Sequence, residues 1–235
     1  MNWLARLWRS APRLSAEHSR ALDAYRELPA PDLGQALQAA RCIVVDVETS
    51  GLRPLKDSLI SIGAVAVSAG LIRFDQSFEV VLRQEAPSDH GNILVHGIGG
   101  TTQVSGKDPA EGLIDFLNFA GKAPLIGFHA DFDRVVIARA VRKVLGLDPA
   151  NVWLDVAMLA PALFAERAPS AHSLDDWMRV FGITNYARHD AVADALATAQ
   201  LFQIVLAQAA RQGMESCADL IKLGKGRRWL GATWA

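Results

Sequence analysis

Three short runs place carboxylates where divalent-cation chemistry needs them. The first is Val45-Asp46-Val47-Glu48-Thr49-Ser50-Gly51-Leu52. The second is Gly127-Phe128-His129-Ala130-Asp131-Phe132-Asp133, and the third is His189-Asp190-Ala191-Val192-Ala193-Asp194-Ala195. Asp46, Glu48, one aspartate of the second run and Asp194 supply four carboxylates, and His189 supplies a base. Such a set can hold two divalent ions and deprotonate a water. Hard oxygen donors favour Mg²⁺ or Mn²⁺. Two carboxylates at one strand end repel each other and need cations to coexist.

The elements that must position these groups follow from patterning. The apolar run Cys42–Val47 reads as a central strand. Residues two apart on a strand share a face, so Asp46 and Glu48 reach one site while Val45 and Val47 face the core. Thr49-Ser50-Gly51 then turns the chain. Leu59–Val67 and Leu71–Leu82 flank Ala69-Gly70 and predict a hairpin. Residues 83–108, with five glycines, predict a long irregular and functional stretch. Helices are expected at about 109–120, 132–144, 156–165, 173–181 and 190–211, with short strands at Leu125–Phe128 and Val152–Leu154. This order predicts an α/β fold with a central mixed β-sheet flanked by helices.

Each candidate has a plainer reading. Asp131 and Asp133 both suit the first turn of a helix, where acids are stabilising. Asp155, between a short strand and a helix, reads as a cap. His189 at a helix start reads as a surface or capping residue, or beside a metal-binding carboxylate as a general base. A rival parsing of the third run pairs Tyr186 with Asp190.

The order and context of the three runs resemble the DEDDh 3′→5′ exonucleases, the family of the DNA polymerase III epsilon proofreading subunit, ribonuclease T and oligoribonuclease. The resemblance covers roughly residues 41–205 and is strongest to the epsilon-like (DnaQ-like) branch. It extends to the strand from Asp57, the His96-Gly97-Ile98 turn and Ser173-Leu174. It implies a ribonuclease H-like fold. It also implies that Asp46 bridges two metals and that Glu48 binds one metal and the substrate's 3′ hydroxyl. Thr49 and Leu52 would grip the terminal nucleotide. The family pattern selects Asp133, which follows Phe132, a substrate-side residue by the same resemblance. It selects His189 as base and Asp194 as ligand, because Asp194-Ala195-Leu196-Ala197-Thr198-Ala199 continues the family's helix. The family often has His-Asn where this chain has Phe128-His129, so His129 reads as structural.

The implied activity is metal-dependent hydrolysis of phosphodiester bonds from a 3′ end, releasing nucleoside 5′-monophosphates. The expected substrate is single-stranded or frayed DNA. Alternatives are an RNA 3′ exonuclease, a DNA polymerase proofreading subunit, and a non-catalytic nucleic-acid or polymerase-binding module.

The chain has 235 residues, 51% hydrophobic and 21% charged, with net charge −1. That fits one soluble domain with an extension and shows no global field for nucleic acid. Two distant cysteines, Cys42 and Cys217, argue against structural zinc and a disulfide framework and suit a reducing cytoplasm. No signal peptide or transmembrane helix is expected; Ala195–Ala210 reads as a buried or amphipathic helix. The expected organisation is an N-terminal helical extension at 1–40, an exonuclease domain at 41–211, and a C-terminal helix and basic tail at 212–235. Trp3, Leu4, Leu7 and Trp8 recur at helical spacing, and a second helix is expected at about 15–28. This extension reads as a helix pair packed on the domain, with a docking or membrane-surface helix or a transit peptide as alternatives. Lys222, Lys225, Arg227, Arg228 and Trp229 read as a solvated tail or a single-strand contact.

Overall fold

A computed structural model describes residues 14–231, with side chains described to residue 226. The expectations for Trp3 to Trp8, and for the side chains of Arg227, Arg228 and Trp229, fall outside the described residues.

β1 (Arg41–Thr49) is the central strand. β2 (Leu59–Ser68) pairs with it antiparallel, and β3 (Leu71–Val81) pairs antiparallel with β2. Ala69 and Gly70 both take positive φ, 54° and 72°, the two-residue turn whose twist matches its strands. On the other side, β4 (Leu125–Gly127) runs parallel to β1, and β5 (Trp153–Asp155) runs parallel to β4. The sheet order is β3-β2-β1-β4-β5, mixed in direction.

Alternation along β1 divides the core. Ile43, Val45 and Val47 pack on one face with α4 (Pro109–Ala120) and α5 (Asp131–Leu145). Cys42 and Val44 face the opposite layer, built from α6 (Val156–Leu163), α7 (Leu174–Phe181) and α8 (Ala191–Arg211). In that layer Trp177 is fully buried and its ring centroid lies 5.9 Å from that of Phe181. A reciprocal Ser173–Asp176 capping box starts α7. α8 is long and apolar enough to cross a membrane, but its side chains pack across β1 and β2 and it serves as a core helix.

α1 (Ala16–Glu27) starts at Ser15, which caps it, and buries Leu22 and Tyr25 against α4. At the other end, α9 (Cys217–Gly231) buries Cys217 and Leu220. Cys42 Sγ and Cys217 Sγ come within 3.9 Å as free thiols.

The stretch 83–108 departs from the irregular expectation. It contains α2 (His90–His96) and α3 (Gly100–Val104). The Asp89 carboxylate accepts the Asn92 N–H at 3.0 Å, and Gly97 ends α2 in the left-handed conformation. Capping by these two residues offsets the helix-weakening glycines. Gln103 is fully buried and ties the stretch together: its Nε2 donates to the Ile98 carbonyl at 2.8 Å and its Oε1 accepts from Ser88 N–H at 2.8 Å.

Candidate active site

Asp46 and Glu48 lie on the face of β1 that meets the start of α8, as strand periodicity requires. Asp46 pairs across the sheet with Gly63 of β2. Directly over Gly63 passes the α8 N-terminus: a Cβ there would lie 2.2 Å from the Ala191 carbonyl carbon. Only a glycine admits this approach, which brings residues 189–194 down onto the carboxylates. The signal for it was an isolated Gly within a strand, which marks close backbone approach.

Asp190 caps α8, its carboxylate accepting the Ala193 N–H at 2.9 Å. His189 precedes it in the left-handed region, φ 64°. That conformation turns the His189 N–H onto Asp194 Oδ2 at 3.1 Å. Asp194, one turn into α8, is buried, and its second oxygen accepts from the Asn185 amide and the Arg188 guanidinium. Arg188 also bonds Asp175 of α7 at 2.9 Å. Glu48, His189 and Asp194 each present a ligand atom, all within 4.8 Å of one another.

Asp133, in the first turn of α5, is buried. The backbone N–H groups of Asp133 itself and of Val47 favour its charged form. Asp131 opens the same helix but pairs outward with Arg134 at 3.1 Å. Asp155 caps α6 through Ala157 N–H at 2.9 Å and holds the His129 N–H at 3.0 Å. His129 itself stands edge-on to Phe128.

Crowding of these acids shows in their proton affinity. Burial, then the charges of Asp133, Asp194 and Glu48, push Asp46 well above the usual carboxylate range. Burial and the charges of Asp194 and Asp190 push Glu48 up to about 8. Burial pushes Asp133 to about 8. Arg188 opposes the shifts at Asp46 and Glu48. Acids held this high by burial and mutual repulsion fit a site built for divalent cations.

The substrate-side candidates separate. Leu52 stands 90% exposed beyond β1, free to meet a ligand. Thr49 Oγ1 donates to the Gly51 carbonyl at 2.7 Å and shapes the turn. Phe132 packs partly buried against the α4–α5 core. Across the turn, Asn92 Nδ2 donates to the Ser50 carbonyl at 2.6 Å, fastening α2 to the site. Tyr186 of the rival parsing is 94% exposed, whereas Asp194 lies in the acidic cluster. Sequence reasoning missed Gly63, Asn185 and Arg188. Arg188's adjacency to His189 was its only sequence signal.

The Exonuclease family model matches residues 43–202 of the chain, including all three carboxylate runs. The chain belongs to the exonuclease family. A DNA polymerase III PolC-type protein of Thermotoga maritima is 28% identical over 78% of this chain and 13% of its own length. A DNA polymerase III subunit epsilon-like protein of Rhodobacter capsulatus is 31% identical over 73% of this chain and 24% of its own. The match thus spans a quarter or less of these two relatives. Among solved structures, E. coli exonuclease I in complex with a dT13 oligonucleotide superposes with a TM-score of 0.64 at 18% identity, over 74% of this chain and 42% of that one. The apo form of exonuclease I gives 0.60 at 17% identity, over 74% of this chain and 43% of that one. The mixed sheet of this chain, with its flanking helices, is the ribonuclease H-like fold.

Proposed function

We propose that this chain is a 3′→5′ exonuclease that shortens single-stranded or frayed nucleic acid, DNA foremost, and releases nucleoside 5′-monophosphates. One observation carries the reading: Asp46, Glu48, Asp133 and Asp194, from three separated segments, converge with His189 at one sheet end. Family membership and the oligonucleotide bound to exonuclease I support it.

Asp46, Glu48, Asp133 and Asp194 would hold two Mg²⁺ or Mn²⁺ ions, which when bound supply Lewis-acid charge neutralisation at the scissile phosphate. In this reading His189, exposed at the mouth of the cluster, accepts the proton of the attacking water. The His189 N–H and Asn185 fix the Asp194 carboxylate. Leu52 and the Thr49 backbone position the terminal nucleotide, with Phe132 supporting from the core side. The ends of β1, α5 and α8 hold these groups rigidly, so their orientation costs little at the moment of reaction.

The polymerase III names of the relatives favour a second role for the same site: editing 3′ ends beside a DNA polymerase. The free thiols of Cys42 and Cys217 suit work in the cytoplasm.

Side-by-side digestion of 3′-labelled and 5′-labelled DNA and RNA oligomers tests this. With Mg²⁺ or Mn²⁺, 5′-labelled DNA should give a ladder and 3′-labelled DNA immediate mononucleotide. EDTA should abolish both. Full activity after exhaustive chelation, or internal cleavage products first, would sink the reading.

A further inference from the structure

A second feature lies across the β1–β2 turn from the acidic cluster. It is a cleft of about 390 Å³ between that turn, the segment following β3, the start of α4 and the C-terminal half of α5. Lys56, Arg83, Arg139 and Lys143 line it, against a single acid, Glu85. In a chain of net charge −1, this is a local concentration of positive charge.

Two of these cations are committed to structure only in part. Arg139 donates to the Asp57 backbone carbonyl. Arg83 pairs with Asp108 at 2.7 Å, but both side chains are about half exposed, so the pair is weak. Lys56 and Lys143 make no side-chain ion pair among the described residues. Four cations side by side on a concave surface outnumber its single lining acid, Glu85, and repel one another. Buried Leu59 and Leu82 form part of the cleft wall.

The cleft is mechanically joined to the site. Residues 50–58 connect Glu48 and Thr49 to β2, and they carry Leu52 early and Lys56 late. The Asp57 carboxylate accepts the Arg53 N–H at 2.8 Å and the Arg53 guanidinium at 2.9 Å, which closes the turn. Arg139 then holds the turn to α5 through the Asp57 carbonyl. One rigid turn thus has the terminal-nucleotide candidates on one side and a cationic cleft on the other.

We propose that this cleft binds phosphates of the nucleic-acid strand upstream of the 3′ end that enters the acidic site, with Lys56 and Lys143 as the principal contacts. The proposal rests on the exonuclease reading. It explains how an enzyme with an acidic active site and no global positive charge holds a polyanion: attraction is confined to the cleft, and the carboxylates are left for cations. The contacts are to the backbone, so they carry affinity and strand length, not sequence.

The test compares wild type with Lys56→Ala/Lys143→Ala. A second pair, Arg20→Ala/Arg211→Ala, controls for net charge. Fluorescence anisotropy in Ca²⁺ measures binding of a thymidine dinucleotide and of a long oligothymidylate across salt concentrations. Hydrolysis of the p-nitrophenyl ester of thymidine 5′-monophosphate reads the acidic site alone. The cleft variant should lose roughly tenfold in affinity for the long strand. Its slope of log K against log salt should fall by about 1.4, for two lost single-strand phosphate contacts. Dinucleotide binding and ester hydrolysis should match wild type. Unchanged affinity and slope on the long strand would overturn the proposal, as would an equal loss in the control pair. Preferential binding of polyglutamate over oligothymidylate would overturn it too, by assigning the cleft to an acidic protein. Failure of wild type to cleave the ester or any oligomer counts against the exonuclease reading, while the long-strand comparison still decides the cleft.

Discussion

Gly63 of β2 lies beneath Ala191 of α8, so closely that a Cβ on Gly63 would meet the Ala191 carbonyl carbon at 2.2 Å and the Val192 nitrogen at 2.3 Å. Gly63 is also the cross-strand partner of Asp46. One missing side chain therefore sets how deeply the third carboxylate run sits against the first.

Gly63→Ala should push the start of α8 away from β1. Overpacking against backbone costs about 1–3 kcal/mol, which lowers Tm by several degrees. Mn²⁺ affinity and turnover should fall further than that stability loss implies, because the Asp194–Glu48 spacing opens. Calorimetric metal titration at a temperature where the variant is fully folded checks this. Wild-type metal binding would show that the contact does not set the site.

Arg188 holds Asp194 and also lowers the proton affinity of Asp46 and Glu48. It occupies the electrostatic role that a metal ion would take. Arg188→Ala should reduce the metal-free Tm and tighten Mn²⁺ binding several-fold, since a competing cation has gone. Weaker metal binding in the variant would assign Arg188 to orienting the ligands instead.

Stability of the metal-free protein should fall as pH rises. Glu48 and Asp133 keep their protons in the fold up to about 8, against ordinary values of 4.5 and 3.8. Between those limits the folded state binds more protons than the unfolded chain, so unfolding becomes easier with each pH step and levels off above about 8. Asp46→Ala, which removes another strongly raised carboxyl, should flatten the decline and raise the Tm in EDTA at pH about 8. The same variant should lose turnover by orders of magnitude. Thermal melts in EDTA, with and without added Mn²⁺, measure the slope; a Tm that climbs with pH would contradict the assignment.

His189→Ala should depress turnover strongly while metal binding largely survives, and Asp194→Ala should damage both. Tyr186→Phe should change little, its side chain being exposed to solvent. Single-turnover rates of the three variants on a single-stranded oligomer separate the two parsings of the third run. A crippled Tyr186→Phe beside an active His189→Ala would favour a tyrosine-dependent mechanism.

The local chemistry of this chain was legible because it is written in short-range pattern. Alternation in Cys42–Val47 put Asp46 and Glu48 on one face, with Val45 and Val47 in the core. Asp108-Pro109 and Gly121 bracket a helix that forms at Pro109–Ala120 as expected. The run after Asp190 became α8 with Asp194 on its buried side. Tertiary structure decided what lies between distant segments. It set the strand order, the approach of Ala191 to Gly63, the 3.9 Å contact of Cys42 with Cys217, and the Arg188–Asp194 pair. It also gathered Lys56, Arg83, Arg139 and Lys143 into one cleft and folded 83–108 around two short helices, the first of them capped. Periodicity and capping act over a few residues and can be read one segment at a time. Burial, close packing and charge coupling depend on which segments meet, and those neighbours exist only once the sheet and its two helical layers have assembled.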